Sequence, residues 1–278
     1  MFGAIIGDIA GSTYEFVGCK ETGIDLFPAG SDYTDDSILT IATAEALLTD
    51  GDYQAAYRRL GRLYPYPLGG YGARFAGWLQ EDAPRPYNSC GNGSAMRVSP
   101  VGFARNTLED VLAEAERSAS VTHNHPEGIR GAQAAASAVF LARTGSTKSQ
   151  IRSFIASRFG YDLDRTVQSI RPGYRFNPTC QGTVPEAIVA FLDAEDFESA
   201  IRLAISLGGD ADTLACITGS IAHAYYGRIP DPFVATARRV LPSPLLQIAD
   251  AFNARHPSEL HRQSIAGKPP TSGGEPTP

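Results

Sequence analysis

Phe197-Glu198-Ser199-Ala200-Ile201-Arg202-Leu203-Ala204-Ile205-Ser206-Leu207-Gly208-Gly209-Asp210-Ala211-Asp212-Thr213-Leu214 is the stretch whose reading decides the fold. Phe197, Ile201, Ala204 and Ile205 recur at helical spacing and make one apolar stripe. Gly208-Gly209 is a natural helix stop, and Asp212 and Thr213 then open a second apolar run from Leu214 to Tyr226. Working outward, Tyr33-Thr34-Asp35-Asp36-Ser37 leads into Asp36 to Leu48, where Ile38, Ile41, Ala42, Leu47 and Leu48 approximate one helical face. The Ala-rich run Gly131 to Ala142 favours helix by propensity. Alternating strand patterns flanked by hairpin turns are scarce, so the economical fold is all-α, built from many short helices. Gly3, Gly7, Gly11 and Gly219 lie inside helical stretches, where glycine costs about 1 kcal/mol against alanine unless close packing offsets it. Their helices are expected near the centre.

A chain of 278 residues, 43% hydrophobic and 19% charged, suits one large domain with a substantial core. That domain is expected over residues 1–255. Residues 256–278, rich in Pro, Gly, Ser and Thr and lacking apolar anchors, are expected to form a disordered tail. The net charge of -6 disfavours nonspecific binding to nucleic acid or an anionic membrane, and no Lys/Arg run argues otherwise. Cys19, Cys90, Cys180 and Cys216 are widely spaced without a CxxC pair, so they read as reduced thiols. Neither a leader-like segment nor an apolar run of about 18 residues is visible, so a cytoplasmic protein outside the membrane is expected. With no interface repeat in sight, the default is a monomer.

Chemistry is concentrated in the two acidic helix starts. Each offers two carboxylates and a threonine oxygen, the donors that hard divalent cations prefer. Taken singly, either reads as a helix cap with acidic residues complementing the dipole. Taken together, with the Gly-Gly lead-in that a cap does not need, they read as a split metal site. Tyr64 to Gly72, Ala83 to Ser94 and Arg171 to Thr183 are expected to be non-helical, and their Gly, Pro, Asn and Tyr content suits functional loops. Gly69-Gly70-Tyr71-Gly72-Ala73 and Asn88-Ser89-Cys90-Gly91-Asn92-Gly93-Ser94-Ala95-Met96-Arg97 supply backbone that can approach an anion closely.

With Gly7-Asp8-Ile9-Ala10-Gly11-Ser12 and Thr122-His123 added, six motifs stand in an order that resembles the ADP-ribosylglycohydrolase family, over about residues 1 to 230. The resemblance implies an orthogonal multi-helix fold, two Mg2+ or Mn2+ ions in a central cleft, and hydrolysis of the bond joining ADP-ribose to an acceptor. It implies metal ligation by Thr34, Asp35 and Asp36 from one side and by Asp210, Asp212 and Thr213 from the other. Glu15 falls where some members carry an acidic residue beside the metals, and Asp8 reads as a buried supporting group. Gly70, Tyr71, Gly72, Ser89, Cys90, Gly91 and Asn92 fall on loops around the diphosphate and distal ribose, and His123 at the adenosine end. Cys90 stands where some relatives carry an aromatic residue. Arg97 reads as a structural hydrogen-bonder, His125 and His223 as structural, and Pro178 to Pro185 as a loop able to face the cleft.

If Glu15, Asp35, Asp36, Asp210 and Asp212 converge, their charges sum to -5, and two divalent cations bring the site near -1. The expected chemistry is attack of water at the anomeric carbon through a transition state with oxocarbenium character. Asp35 or Asp36 would orient the water or accept its proton, with Glu15 assisting opposite. The partner is then an ADP-ribosylated protein or a small-molecule ADP-ribose conjugate, with the acceptor open between arginine, serine, a nucleic-acid end and a small molecule. The competing readings are a hydrolase of another ribosyl or nucleoside-diphosphate conjugate and a non-catalytic ADP-ribose-binding member.

Overall fold

The computed structural model of the protein describes residues 1–257, so the tail expected from 256 falls outside the described residues apart from His256 and Pro257. Within them the chain folds into fifteen helices. The first run comprises α1 (Phe2–Gly11), α2 (Asp35–Leu48), α3 (Tyr53–Leu63), α4 (Ala73–Gln80) and the single turn α5 (Gly93–Met96). Next come α6 (Ser99–Ala104), α7 (Leu108–Ser120), α8 (Pro126–Arg143), α9 (Lys148–Phe159) and the short α10 (Val167–Ile170). The last are α11 (Cys180–Asp193), α12 (Phe197–Ile205), α13 (Ala211–Tyr226), α14 (Asp231–Val240) and α15 (Ser243–Arg255). β pairing among the described residues amounts to two isolated bridges, Thr34 with Leu68 and Gly91 with Thr179. The all-α expectation holds.

Glycines bring α1 and α13 into backbone contact. A Cβ on Gly7 would lie 2.0 Å from the Ala215 carbonyl oxygen, and one on Gly3 would lie 2.2 Å from that of Gly219. No side chain fits in such a gap, so the entropic cost of mid-helix glycine is offset by close packing of two buried helices. The pair forms the centre that the glycine pattern predicted. Around it α2, α8, α11 and α12 pack through Ile38, Ile41, Ala135, Val139, Ile188, Ala200 and Ile201, all buried.

The stop between α12 and α13 needs both glycines for different reasons. Gly208 has φ +66, a left-handed conformation that glycine adopts without strain. At Gly209 a Cβ would sit 2.3 Å from the Tyr174 ring. The chain therefore turns tightly beneath the loop before α11 and delivers Asp210 to the start of α13.

Two loop expectations are corrected. α11 begins at Cys180, so Cys180 to Thr183, and Pro185 with them, are helical rather than loop. Thr179 is extended at φ -99, ψ 149 and starts the helix, and Pro185 lies inside it. Likewise Gly93 and Ser94 belong to α5, leaving the loop to end at Asn92. The Ala-rich helix instead starts earlier than its alanines: Pro126 takes the first position of α8, and His125 Nδ1 accepts from Glu127 N at 3.1 Å as its cap. No helix among the described residues is long and apolar enough to cross a membrane.

Candidate metal centre and cleft

Asp8, on the central helix α1, ties the first acidic motif in place. Its carboxylate accepts from Thr34 N at 3.0 Å, Thr34 Oγ1 at 2.6 Å, Ser37 N at 3.1 Å and Ser37 Oγ. Thr34 Oγ1 in turn accepts from Asp36 N at 3.2 Å, so this threonine does cap α2. The second motif behaves differently. Asp210 is the N-cap residue of α13, yet its side chain makes no cap bond. Its Oδ2 accepts from Asn92 Nδ2 at 2.7 Å, and the Asn92 amide also donates to Thr183 Oγ1 at 3.2 Å.

The two motifs meet. Thr213 Oγ1, on α13, lies 3.4 Å from Asp36 Oδ1, on α2. Oxygens of Glu15, Asp210 and Asp212 all lie within 4.8 Å of one another. Asp35 and Asp36 stand outside that tight trio: Asp35 borders the same cleft as the trio, and Asp36 is buried at 2% exposure. Because both motifs open helices, the partial positive ends of α2 and α13 face the same acidic site.

So much buried negative charge cannot stay ionised unaided. Burial, then the charges of Asp8, Asp210 and Glu15, pushes Asp35 well above the usual carboxylate range. Asp36 and Asp212 are likewise raised, by burial first and then by neighbouring carboxylates. Glu15 is pushed up to about 7 by burial and by Asp210 and Asp8. Asp8 rises to about 6 through burial, held back by its four hydrogen bonds. A divalent cation fits this set on two counts. The donors are carboxylate and hydroxyl oxygens, and the buried Asp36 Oδ2 has no hydrogen-bond partner among the described residues.

The acidic site forms one end of a cleft of about 550 Å³. Of the glycine-loop residues, Gly72, Ser89, Cys90, Gly91 and Asn92 line it, as does His123. Gly70 and Tyr71 are not brought to its wall: Tyr71 donates to the Tyr64 carbonyl at 2.9 Å and packs on Phe75. His123 is 5% exposed, and its Nδ1 pairs with Thr122 Oγ1 at 2.7 Å. Burial, then Arg97 and Arg74, holds its ring well below the ordinary histidine range, so it is neutral at pH 7. Nothing intervenes between His123 Nε2 and the Gly93 backbone, where even a Cβ would come within 3.2 Å.

Arg97 is fully buried, donating to Thr122 Oγ1 at 2.8 Å and Ser118 O at 3.2 Å with its guanidinium 4.1 Å over the Tyr57 ring. Those bonds match its structural reading. Sequence reasoning missed Arg74, Tyr87 and Phe176 on the cleft wall. Arg74, on α4, lies 4.9 Å over the Tyr87 ring and donates to the Tyr87 carbonyl thirteen positions on, a pairing that no local pattern announces.

An all-helical fold whose two acidic helix starts close one end of a glycine-walled cleft defines a protein of the ADP-ribosylhydrolase class. The chain belongs to the ADP-ribosylglycohydrolase family, whose family model matches residues 1–261. It is similar to the ADP-ribosylarginine hydrolase Tri1 of Pseudomonas putida, 27% identical over 82% of this chain and 69% of the relative. It is also similar to human ADP-ribosylhydrolase ARH3, 28% identical over 81% of this chain and 84% of the relative. Among solved structures, an ADP-ribosylglycohydrolase-related protein complex superposes with a TM-score of 0.63 at 25% identity, covering 91% of this chain and 98% of that one.

Proposed function

We propose that this chain hydrolyses the glycosidic bond between ADP-ribose and an acceptor, using two divalent cations held between α2 and α13. The observation that carries the reading is the convergence of Glu15, Asp210 and Asp212 within 4.8 Å beside the Asp36 to Thr213 contact. Thr34, Asp35 and Asp36 would hold the cations from one side and Asp210, Asp212 and Thr213 from the other. Thr34 Oγ1 gives its proton to Asp8 and accepts one bond from Asp36 N, which leaves a lone pair for a cation. Magnesium or manganese, when bound, supplies charge opposite the ribose hydroxyls and acidifies water. Two such ions bring five carboxylates near charge balance, which one ion would not do.

The chain's own groups do the rest. Asp35 or Asp36 orients the attacking water and takes its proton, while Glu15 assists from the opposite side. Water oxygen bonds to the anomeric carbon, the bond from that carbon to the acceptor breaks, and the proton taken from the water is passed on to the leaving acceptor. Ser89, Gly91 and Asn92 would face the diphosphate, with the Gly91 amide held on Ser89 Oγ and the Asn92 backbone amide on the Pro178 carbonyl, and with Gly70, Tyr71, Gly72 and Cys90 on the flanking loops. The neutral ring of His123 takes the adenosine end, where it can donate or accept but not repel Arg74. An intact donor set argues against a non-catalytic member of the family.

ADP-ribose released from mono-ADP-ribosylated arginine and serine peptides, with and without magnesium, tests this reading. Asp36→Asn and Asp212→Asn are each expected to lower release by about a hundredfold or more. Release that ignores magnesium, or that survives in both variants, would contradict it.

A further inference from the structure

Thr183 is fully buried in the first turn of α11. Its hydroxyl proton is committed, because Oγ1 donates to the Asn177 carbonyl at 2.7 Å and a carbonyl oxygen can only accept. Toward Asn92 the same oxygen must therefore accept, and it does so from Nδ2 at 3.2 Å. The other proton of that side-chain amide goes to Asp210 Oδ2 at 2.7 Å. A directed chain thus runs from Asn177 O through Thr183 and Asn92 to a carboxylate assigned to the metal centre. Direction is what an asparagine alone lacks. An amide free to turn over can present Oδ1 instead, which sets two acceptor oxygens against each other at Asp210. Thr183 Oγ1 can meet only a donor there, so it holds the amide with Nδ2 toward both oxygens.

The far end of the chain is fixed in turn. Asn177 Oδ1 accepts from Thr179 N at 3.1 Å and Thr179 Oγ1 at 2.7 Å, which closes the turn that presents the Asn177 carbonyl. Gly182 leaves room for that turn, since a Cβ there would lie 2.1 Å from the Asn177 amide nitrogen. Asn92 N donates to Pro178 O at 2.8 Å and Cys180 N to Cys90 O at 2.9 Å, so the loop carrying Asn92 is laced to the start of α11. Tyr174 adds a second strut. Its hydroxyl donates to Gly182 O at 2.8 Å, and its ring occupies the space that a side chain on Gly209, next to Asp210, would need. Resting on the metal-dependent hydrolase reading above, we propose that Thr183 is a positioning residue of the metal centre, acting on Asp210 through the Asn92 amide. The first turn of α11, outside both acidic motifs, then sets how tightly the α13 side holds its cation.

The test is the Mn2+ affinity of the full chain, read by electron paramagnetic resonance, in Thr183→Val, Thr183→Ser, Asn92→Ala and the paired Thr183→Val with Asn92→Ala. Valine keeps the branched shape and loses the hydroxyl, whereas serine keeps the hydroxyl. Thr183→Val is expected to weaken Mn2+ binding about tenfold, and Thr183→Ser by no more than about twofold. Because Thr183 acts through Asn92, the paired variant is expected to bind Mn2+ within about twofold of Asn92→Ala alone. Should Thr183→Val leave too little folded chain, Thr183→Ala carries the same comparison, since it frees the amide equally and adds no apolar bulk. Native affinity in the variant lacking the hydroxyl, a loss in Thr183→Ser as large as in Thr183→Val, or losses that add in the paired variant would overturn the assignment. A native chain that binds no Mn2+ would contradict the metal reading itself and remove the assignment with it.

Discussion

Neither Asp8 nor Asn92 is proposed as a metal ligand, yet each fixes a residue that is. Asp8 locks the backbone of Thr34 and Ser37, and Asn92 aims Asp210 through a 2.7 Å bond across 118 residues of sequence. Residues behind a metal ligand typically contribute ten- to a hundredfold in affinity. Asp8→Asn and Asn92→Ala are each expected to weaken magnesium binding by about that factor in calorimetric titration, and affinity unchanged in both would contradict the arrangement. The two acidic motifs were legible because their residue types and helix-start context are local. Asn92 was legible only as part of a glycine loop, since its tie to Asp210 exists only in three dimensions. The same holds for Gly209, whose neighbour Tyr174 comes from another loop, and for the stacking of Phe16 on Phe176. Gly70 and Tyr71 share a motif with Gly72, but the turn that points Gly72 into the cleft sends the Tyr71 phenol to Tyr64.

Among the helices, the α1 and α13 pair sets the geometry of the centre, because Asp8 belongs to one and Asp212 and Thr213 to the other. Alanine at Gly7 would raise helix propensity but force the backbones apart, since its Cβ meets Ala215 O at 2.0 Å. Overpacking costs about 1–3 kcal/mol, more than propensity returns, so Gly7→Ala is expected to lower unfolding free energy in urea by that amount. A change within about 0.5 kcal/mol would mean the helices can separate freely. Periodicity in the sequence gave α12 its full apolar stripe, and Phe197, Ile201, Ala204 and Ile205 are all buried. It failed at α11, where Pro178, Pro185 and Gly182 carry turn chemistry. There Gly182 serves packing, with a side chain excluded by Asn177, and the helix runs on past Pro185.

Over the whole molecule, the acidic centre makes stability depend on pH and on cations together. Asp8, Glu15, Asp35, Asp36 and Asp212 are all raised in the folded chain, so between about 4 and their folded values the folded state binds more protons than the unfolded. Stability from these groups is therefore lost as pH rises through that window, which reaches about 7 at Glu15. His123, depressed, acts in the opposite direction, but it is one group against five. With chelator present, the melting temperature is expected to fall between about pH 5 and pH 8, and magnesium is expected to raise it more at pH 8 than at pH 5. An equal magnesium shift at both would contradict the linkage. The fold class and the existence of a cleft were legible because many motifs agree, whereas its walls depend on which loops meet. The most direct test of the central claim is the number of Mn2+ ions bound per chain, counted by electron paramagnetic resonance after equilibrium dialysis. The account predicts two in the native chain and fewer in Asp36→Asn and Asp212→Asn, and a native chain that binds none or one would contradict it.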